Sequence, residues 1–220
     1  MQLKRKRGNI SLFVYVVAFT YIIGIMDNLR KSGYIDNTSL IAMVISPGII
    51  VVVIIIMSLK HMFNKKIQYY KTYVVLYTDK DIIWRGKTLS IMKEAIGDTL
   101  VVALGMSLYL CLNKGTRTGI HLIFFAGLSI WLQLIISYMI IELMEWLFNK
   151  RWIGILVVTL ISIGDAFAFL KPLLYRRLFI SKEILYNNLG GIAAKLILSA
   201  IIIGIIYFAG NVYSKNKEFL

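Results

Sequence analysis

The amino-acid sequence predicts an all-α integral membrane protein, folded as a bundle of six transmembrane helices. The first observation is composition, since 59% of the 220 residues are hydrophobic and the mean hydropathy is +0.76, more apolar character than a soluble domain of this size can bury. The second is the length of the apolar runs, because about 20 helical residues cross a hydrocarbon core about 30 Å thick. The third is that these runs are apolar on every face, whereas the strands of a membrane barrel alternate.

Six weakly charged windows, taken in chain order, define the predicted spans. The first window follows the basic segment MQLKRKRG and has no small-x-small cleavage pattern after it, so we expect an uncleaved span. With no internal repeat and no linker between the windows, residues 1–220 are expected to form one membrane domain. The windows are residues 10–26, 39–59, 95–112, 119–141, 152–170 and 192–210.

The distribution of basic residues predicts the orientation. Six spans place both termini on one side, and that side would carry 16 of the 25 lysine and arginine residues, including all eight of those between spans two and three. The positive-inside rule therefore favours cytoplasmic termini and a cytoplasmic loop. Because the basic residues are scattered over both sides, we expect lipid headgroups rather than nucleic acid as their counterions.

The loop between spans two and three has a pattern of its own. Tyr69, Tyr73 and Tyr77 recur every four residues among lysines, which predicts a short amphipathic helix with an aromatic, basic face. Thr78 is a suitable N-cap and Asp79 suits the first turn of the next helix, so that helix is expected to begin in the cytoplasm. The loop is interpreted either as an element lying on the membrane surface or as a docking surface for a cytoplasmic partner.

The tripeptide Gly86-Lys87-Thr88 matches the end of a phosphate-binding loop. Such a loop also needs a glycine five residues before Gly86, where the backbone folds around phosphate, and that position holds Asp81. We therefore expect no nucleotide site and no cofactor in this chain.

The six spans, the large loop after the second span and the run LYTDKDIIWRGKTL resemble the permease subunits of ATP-binding-cassette exporters of the type-2 membrane superfamily. In that family an aromatic residue and a lysine lead into the third span, and Trp84 and Lys87 stand at those positions. The resemblance also implies a coupling helix within residues 62–80 and a re-entrant outer hairpin of two short helices at residues 166–191. In that hairpin Ser181 is expected to cap the second short helix, and Gly190 and Gly191 are expected to free the chain just before the last span. The residues it implies for coupling to an ATPase are Tyr69, Tyr73, Tyr77, Asp79, Trp84 and Lys87.

The resemblance implies partners as well. A separate cytoplasmic ATP-binding subunit would hold ATP and magnesium, and a second permease subunit, identical or homologous, would complete the substrate path. The substrate would be hydrophobic or a peptide, such as an antimicrobial or toxin peptide, and the location would be a bacterial cytoplasmic membrane. This chain itself would not be an enzyme.

Ionisable residues inside or beside the spans are the remaining candidates. Asp165, late in span five, is interpreted as a substrate-path residue or as an interfacial partner of Lys171 or Arg176. Lys195 in span six is expected to reach the outer headgroups. Four acidic residues at the inner ends of spans three and four, Glu94, Asp98, Glu142 and Glu145, are expected to pair with Lys93, Lys150 or Arg151.

Two other classes of function stay open. The first is an accessory membrane protein without a transport role. The second is a membrane cysteine protease that processes a peptide, which would use Cys111 activated by His121 across a short turn. The sequence has only two histidines and no His-Glu-x-x-His motif, so no metal site is expected.

Overall fold

The computed structural model describes residues 2–34, 36–63, 80–112, 120–167, 178, 180–186 and 188–216. Over these residues the regular structure is entirely helical, which confirms the predicted all-α class. The helices are α1 (Gln2–Lys31), α2 (Asn37–Val44), α3 (Pro47–Phe63), α4 (Lys80–Leu112), α5 (Ile120–Phe148), α6 (Arg151–Phe167), α7 (Ser181–Leu185) and α8 (Leu189–Asn216).

Four of the described helices are long and apolar enough to cross a membrane. Helices α2 and α3 make a fifth candidate crossing if the bent pair counts as one span, and the apolar part of α6 is shorter. A membrane-embedded helical protein is therefore supported, while six crossings stay a prediction. The four long segments are Ser11–Lys31, Trp84–Leu112, His121–Phe148 and Leu189–Ser214.

The second predicted span, residues 39–59, is broken rather than continuous. Asp36 caps α2 by accepting a hydrogen bond from the backbone N–H of Ser39 at 3.1 Å. Helix α3 begins anew at Pro47, whose ring disfavours a helical conformation at the preceding Ser46 and whose missing N–H suits a first turn. The two helices are bent by 51° at this break. The break at this proline was not predicted.

Helix α5 forms the centre of the bundle. Within the span windows, 67% of the α5 residues are buried, compared with 17% in α1 and in α8. The outer helices therefore present most of their apolar surface to the surroundings, as lipid-facing helices do. Tight packing holds α6 against α5, since a Cβ on Gly154 would collide with the backbone of Ile141.

Contacts between distant residues show that the long helices alternate in direction. Lys60 near the end of α3 contacts Asp98 of α4 and Tyr15 of α1, and Trp84 near the start of α4 contacts Tyr207 near the end of α8. The beginnings of α4 and α6 and the ends of α3, α5 and α8 thus meet at one end of the bundle.

The segment before α8 differs in detail from its predicted form. Ser181 was expected to cap a helix, but Ile180 is the N-cap residue of α7 and makes no side-chain cap bond. Gly190 and Gly191 were expected to precede the last span, but they lie in the first turn of α8, where the Asn188 carboxamide oxygen accepts from the Gly191 N–H at 2.9 Å. Residues 168–177, 179 and 187 lie outside the described part, so the re-entrant hairpin stays a prediction.

Candidate functional site

Charged and aromatic side chains from five helices are buried together where the helix ends meet. His61, Asp98 and Glu142 have no exposed surface, and Lys60 and Lys87 are each 4% exposed. Ionisable groups this deeply buried in an apolar bundle are expensive unless they are paired, so their partners define the site. We call these residues the ionic network: Tyr15, Lys60, His61, Lys87, Glu94, Asp98, Tyr138, Glu142, Glu145 and Arg151.

Helical spacing brings these side chains to the interior. On α4, Glu94 and Asp98 are one turn apart, and Lys87 lies two turns before Glu94. On α5, Tyr138 and Glu142 are four residues apart, and Glu145 follows three residues later. The same faces also carry the apolar core residues of the two helices, so the polar positions replace core positions at this end.

The first half of the network is centred on Asp98. One carboxylate oxygen is ion-paired with the Lys60 ammonium, and the other accepts a hydrogen bond from the Tyr138 hydroxyl. Lys60 Nζ also donates to Tyr15 Oη at 3.0 Å and lies 3.5 Å from Glu94 Oε1. Asp98 is therefore charge-neutralised and hydrogen-bonded where water does not reach it, which is what a buried carboxylate requires.

The second half is centred on Glu142. Its Oε2 accepts from Lys87 Nζ at 2.5 Å, and its Oε1 is paired with the Arg151 guanidinium. Arg151 Nε also donates to Glu145 Oε2 at 2.7 Å. Three helices, α4, α5 and α6, are thus held by charge-assisted hydrogen bonds converging on one carboxylate.

His61 joins the two halves. Its Nδ1 lies 2.9 Å from Glu94 Oε2 and its Nε2 lies 3.5 Å from Glu142 Oε1, while its ring stacks on Tyr138 with centroids 4.2 Å apart. Within the network four carboxylates face three permanent cations, so a protonated His61 would balance the charge. Nδ1 is within hydrogen-bond distance of Glu94, whereas Nε2 makes only the longer contact with Glu142 and no hydrogen bond.

Trp84 and Lys87, implied as coupling residues, lie inside the bundle. Trp84 is 1% exposed, and its indole N–H donates to the backbone carbonyl of Tyr207 at 2.9 Å. Its ring packs edge-on against Trp146, with centroids 5.7 Å apart, and against the backbone at Gly210. A role in coupling would therefore act through contacts among α4, α5 and α8 rather than through a surface formed by these two side chains.

The other predicted site residues either lie outside the described part of the chain or are exposed. Tyr69, Tyr73, Tyr77 and Asp79 lie outside the described residues, as does the side chain of Asp165, although its backbone belongs to α6. Cys111 is exposed in the last turn of α4, and His121 is exposed in the first turn of α5.

The expected pairing of the acidic residues was only partly right. Arg151 does pair with Glu142 and Glu145, but Lys93 and Lys150 are exposed and belong to no described ion pair. The partners of these acidic residues that the sequence did not reveal are Lys60, His61 and Lys87. Their signal was the placement of basic residues at the ends of apolar runs, but Lys60 was interpreted only as a mark of orientation and Lys87 as a coupling residue, and neither was considered as an ion-pair partner.

Lys195, which was expected to reach the outer headgroups, has a partner within the protein. Its ammonium lies 2.8 Å from Glu183 Oε1 of α7, with 23% of the lysine side chain and 16% of the glutamate side chain exposed. The pair ties α8 to α7, and the contact of Lys195 with headgroups stays a prediction.

The chemistry of the network is that of an internal ionic connection between helices. Among the described residues, no group of His, Cys, Asp or Glu side chains has the arrangement of a metal site, and the network carboxylates already face cations. Comparison with family models, curated proteins and solved structures finds no match to this chain. The function is therefore inferred from the ionic network and from the bundle around it.

Proposed function

We propose that this chain is the transmembrane subunit of an ATP-driven export system in a bacterial cytoplasmic membrane, coupling a separate ATPase to the movement of a hydrophobic or peptide substrate. The observation that carries the proposal is the position of the ionic network on both sides of residues 64–79, which contain most of the coupling helix predicted within residues 62–80. Lys60 and His61 lie just before that segment, and Lys87 lies about two turns into the helix that follows it. All three side chains are joined to carboxylates of α4 or α5.

This arrangement supplies a mechanical connection. A displacement of residues 64–79 would act on the end of α3 and the start of α4 together. Because Lys60 of α3 is paired with Asp98 of α4, and Lys87 of α4 with Glu142 of α5, the helices α4 and α5 would follow the displacement unless the ion pairs exchange partners. Packed ionic interfaces of this kind favour a few discrete arrangements over continuous deformation.

Helix α6 is also linked to the end of α3. Arg151 Nη1 donates to the backbone carbonyl of Met62 at 3.0 Å, one residue before the end of α3, while its other nitrogens hold Glu142 and Glu145. A partner that binds the loop more tightly in one ATPase state than in the other would shift the bundle by that difference in binding free energy. ATP and magnesium would be held by the partner.

The test is an affinity purification of the full chain from its native membrane in mild detergent, with quantitative mass spectrometry of the proteins recovered with it. Two variants are compared: residues 64–79 replaced by a neutral linker of equal length, and residues 113–119 replaced in the same way as a control. We expect an ATPase in stoichiometric amount with the native chain and the control, and none with the first variant.

Two results would count against the proposal. Recovery of no ATPase with the native chain, under conditions that keep a known exporter intact, would favour an accessory membrane protein instead. Undiminished recovery after replacement of residues 64–79 would show that this segment is not the docking loop.

A further inference from the structure

A groove runs along the outer face of the bundle between α4 and α8, outside the ionic network. It has a cavity volume of about 380 Å³, within the roughly 300–1,000 Å³ that is usual for small-molecule sites. Each helix contributes residues at positions i, i+3, i+4 and i+7, starting at Arg85 on α4 and at Ala200 on α8. The two helices therefore flank the groove over two full turns.

Small side chains on α8 create the groove. Ala200 and Gly204 are one turn apart and both exposed, and a Cβ placed on Gly204 would meet no atom within 4 Å. On the opposite wall Leu89 is 53% exposed. The walls are apolar and open sideways, toward the surroundings that the outer faces of α4 and α8 share.

One end of the groove carries a positive charge. Arg85 lines it, is exposed, and belongs to no ion pair among the described side chains. The acidic side chains described on α4 and at the end of α5 are turned into the ionic network, so none of them lines the groove. The groove thus combines an apolar channel with one cationic end.

We propose that this groove binds one anionic phospholipid, with its phosphate on Arg85 and an acyl chain along Leu89, Met92 and Gly204. A guanidinium matches the geometry of a phosphate and binds it through paired N–H donors. The seven helical steps from Arg85 to Met92 span on the order of 10 Å, enough for the first part of an acyl chain. Arg85 lies toward the start of α4, so the headgroup would lie near the membrane surface and the chain would point inward. The proposal does not depend on export.

The experiment is a native mass-spectrometric titration of the full chain in detergent with phosphatidylglycerol and, separately, with phosphatidylcholine. We expect the first phosphatidylglycerol to bind about fivefold tighter than phosphatidylcholine, the preference expected from one basic residue at an anionic surface. Arg85→Gln should remove this preference. Lys150→Gln, which changes an exposed lysine at the same end of the bundle but outside the groove, should keep it.

A second variant tests the apolar part. Gly204→Leu would fill the groove and should weaken the first binding of both lipids, with circular dichroism and thermal unfolding showing an intact fold; Ala200→Leu fills the same space if the first variant fails to fold. Equal affinity for the two lipids, a preference that survives Arg85→Gln, or binding unaffected by filling the groove would each overturn the proposal. A dimer that Gly204→Leu converts to monomer without any change in lipid binding would assign the groove to a second copy of this chain.

Discussion

Charged residues stand near both ends of the bundle, but the two ends hold them differently. At the end that contains the ionic network, which we call the ionic end, the buried side chains of Lys60, Lys87 and Arg151 connect different helices. At the opposite end, Lys31 and Asp27 form a pair within one helix at 2.6 Å, with 73% and 51% of their side chains exposed. The chemistry of the pairs is the same, and only their surroundings differ.

Burial determines whether an ion pair affects the stability of the bundle. An exposed pair one turn apart contributes little, because water screens it and long side chains lose freedom in forming it. Removing one partner of a buried ion pair strongly destabilises the protein, because the remaining charge is then buried without an opposite charge beside it. Because apolar side chains would stabilise the interior at least as well, we infer that the ionic network selects which helix faces meet rather than adding stability.

The largest effect is expected at Glu142. Glu142→Ala would leave Lys87 and Arg151 buried with one carboxylate fewer between them, and should lower the free energy of unfolding by about 3–5 kcal/mol. Reversible unfolding in mixed micelles, followed by circular dichroism, measures this. Asp27→Ala, which removes a well-exposed carboxylate at the other end, is the matched control and should lose far less. Similar losses in both variants would remove the distinction between the two ends.

A double-mutant cycle on Lys60 and Asp98 sharpens the same comparison. Lys60→Met and Asp98→Leu should each destabilise the protein, whereas the double variant should be more stable than the sum of the single effects by about 0.5–3 kcal/mol. The reason is that the double change leaves no uncompensated charge between these positions. Strictly additive effects, measured in the same unfolding assay, would mean that the pair is not coupled.

Packing at the ionic end can be tested without changing charge. A Cβ on Gly210 would collide with the ring of Trp84, so Gly210→Ala should lower the free energy of unfolding by about 1–3 kcal/mol through overpacking. Gly24→Ala is the control, because a Cβ there meets nothing within 4 Å. Indole fluorescence should also change in Gly210→Ala alone. Equal stability of the two variants would show that α8 does not hold Trp84 in place.

The smallest effect is expected at the opposite end. Asp27→Asn removes the charge partner of Lys31, and because both side chains are well exposed we expect no measurable change in thermal unfolding. A clear loss of stability would show that this pair is shielded in the membrane and that the two ends are more alike than their exposures indicate.

Much of the local structure was predictable. The apolar windows at residues 95–112 and 192–210, and the described part of the window at residues 119–141, fall within single long helices, because run length and uniform apolarity favour a helix whatever surrounds it. The bend at Pro47 was equally local and could have been found, since a proline restricts its own residue and the one before it. Composition and run length thus determined the helical membrane class.

Only the tertiary structure decided how the charges pair. Lys60 and Asp98 are 38 residues apart in the chain, and Lys87 and Glu142 are 55 apart. Charge and spacing alone favoured Lys93 and Lys150 as the partners of the acidic residues. These two lysines are nearer in sequence to those residues, but they lie on exposed faces. A pair forms where packing brings two buried groups within reach, and which helix faces pack depends on the whole bundle, so no local pattern in the sequence specifies it.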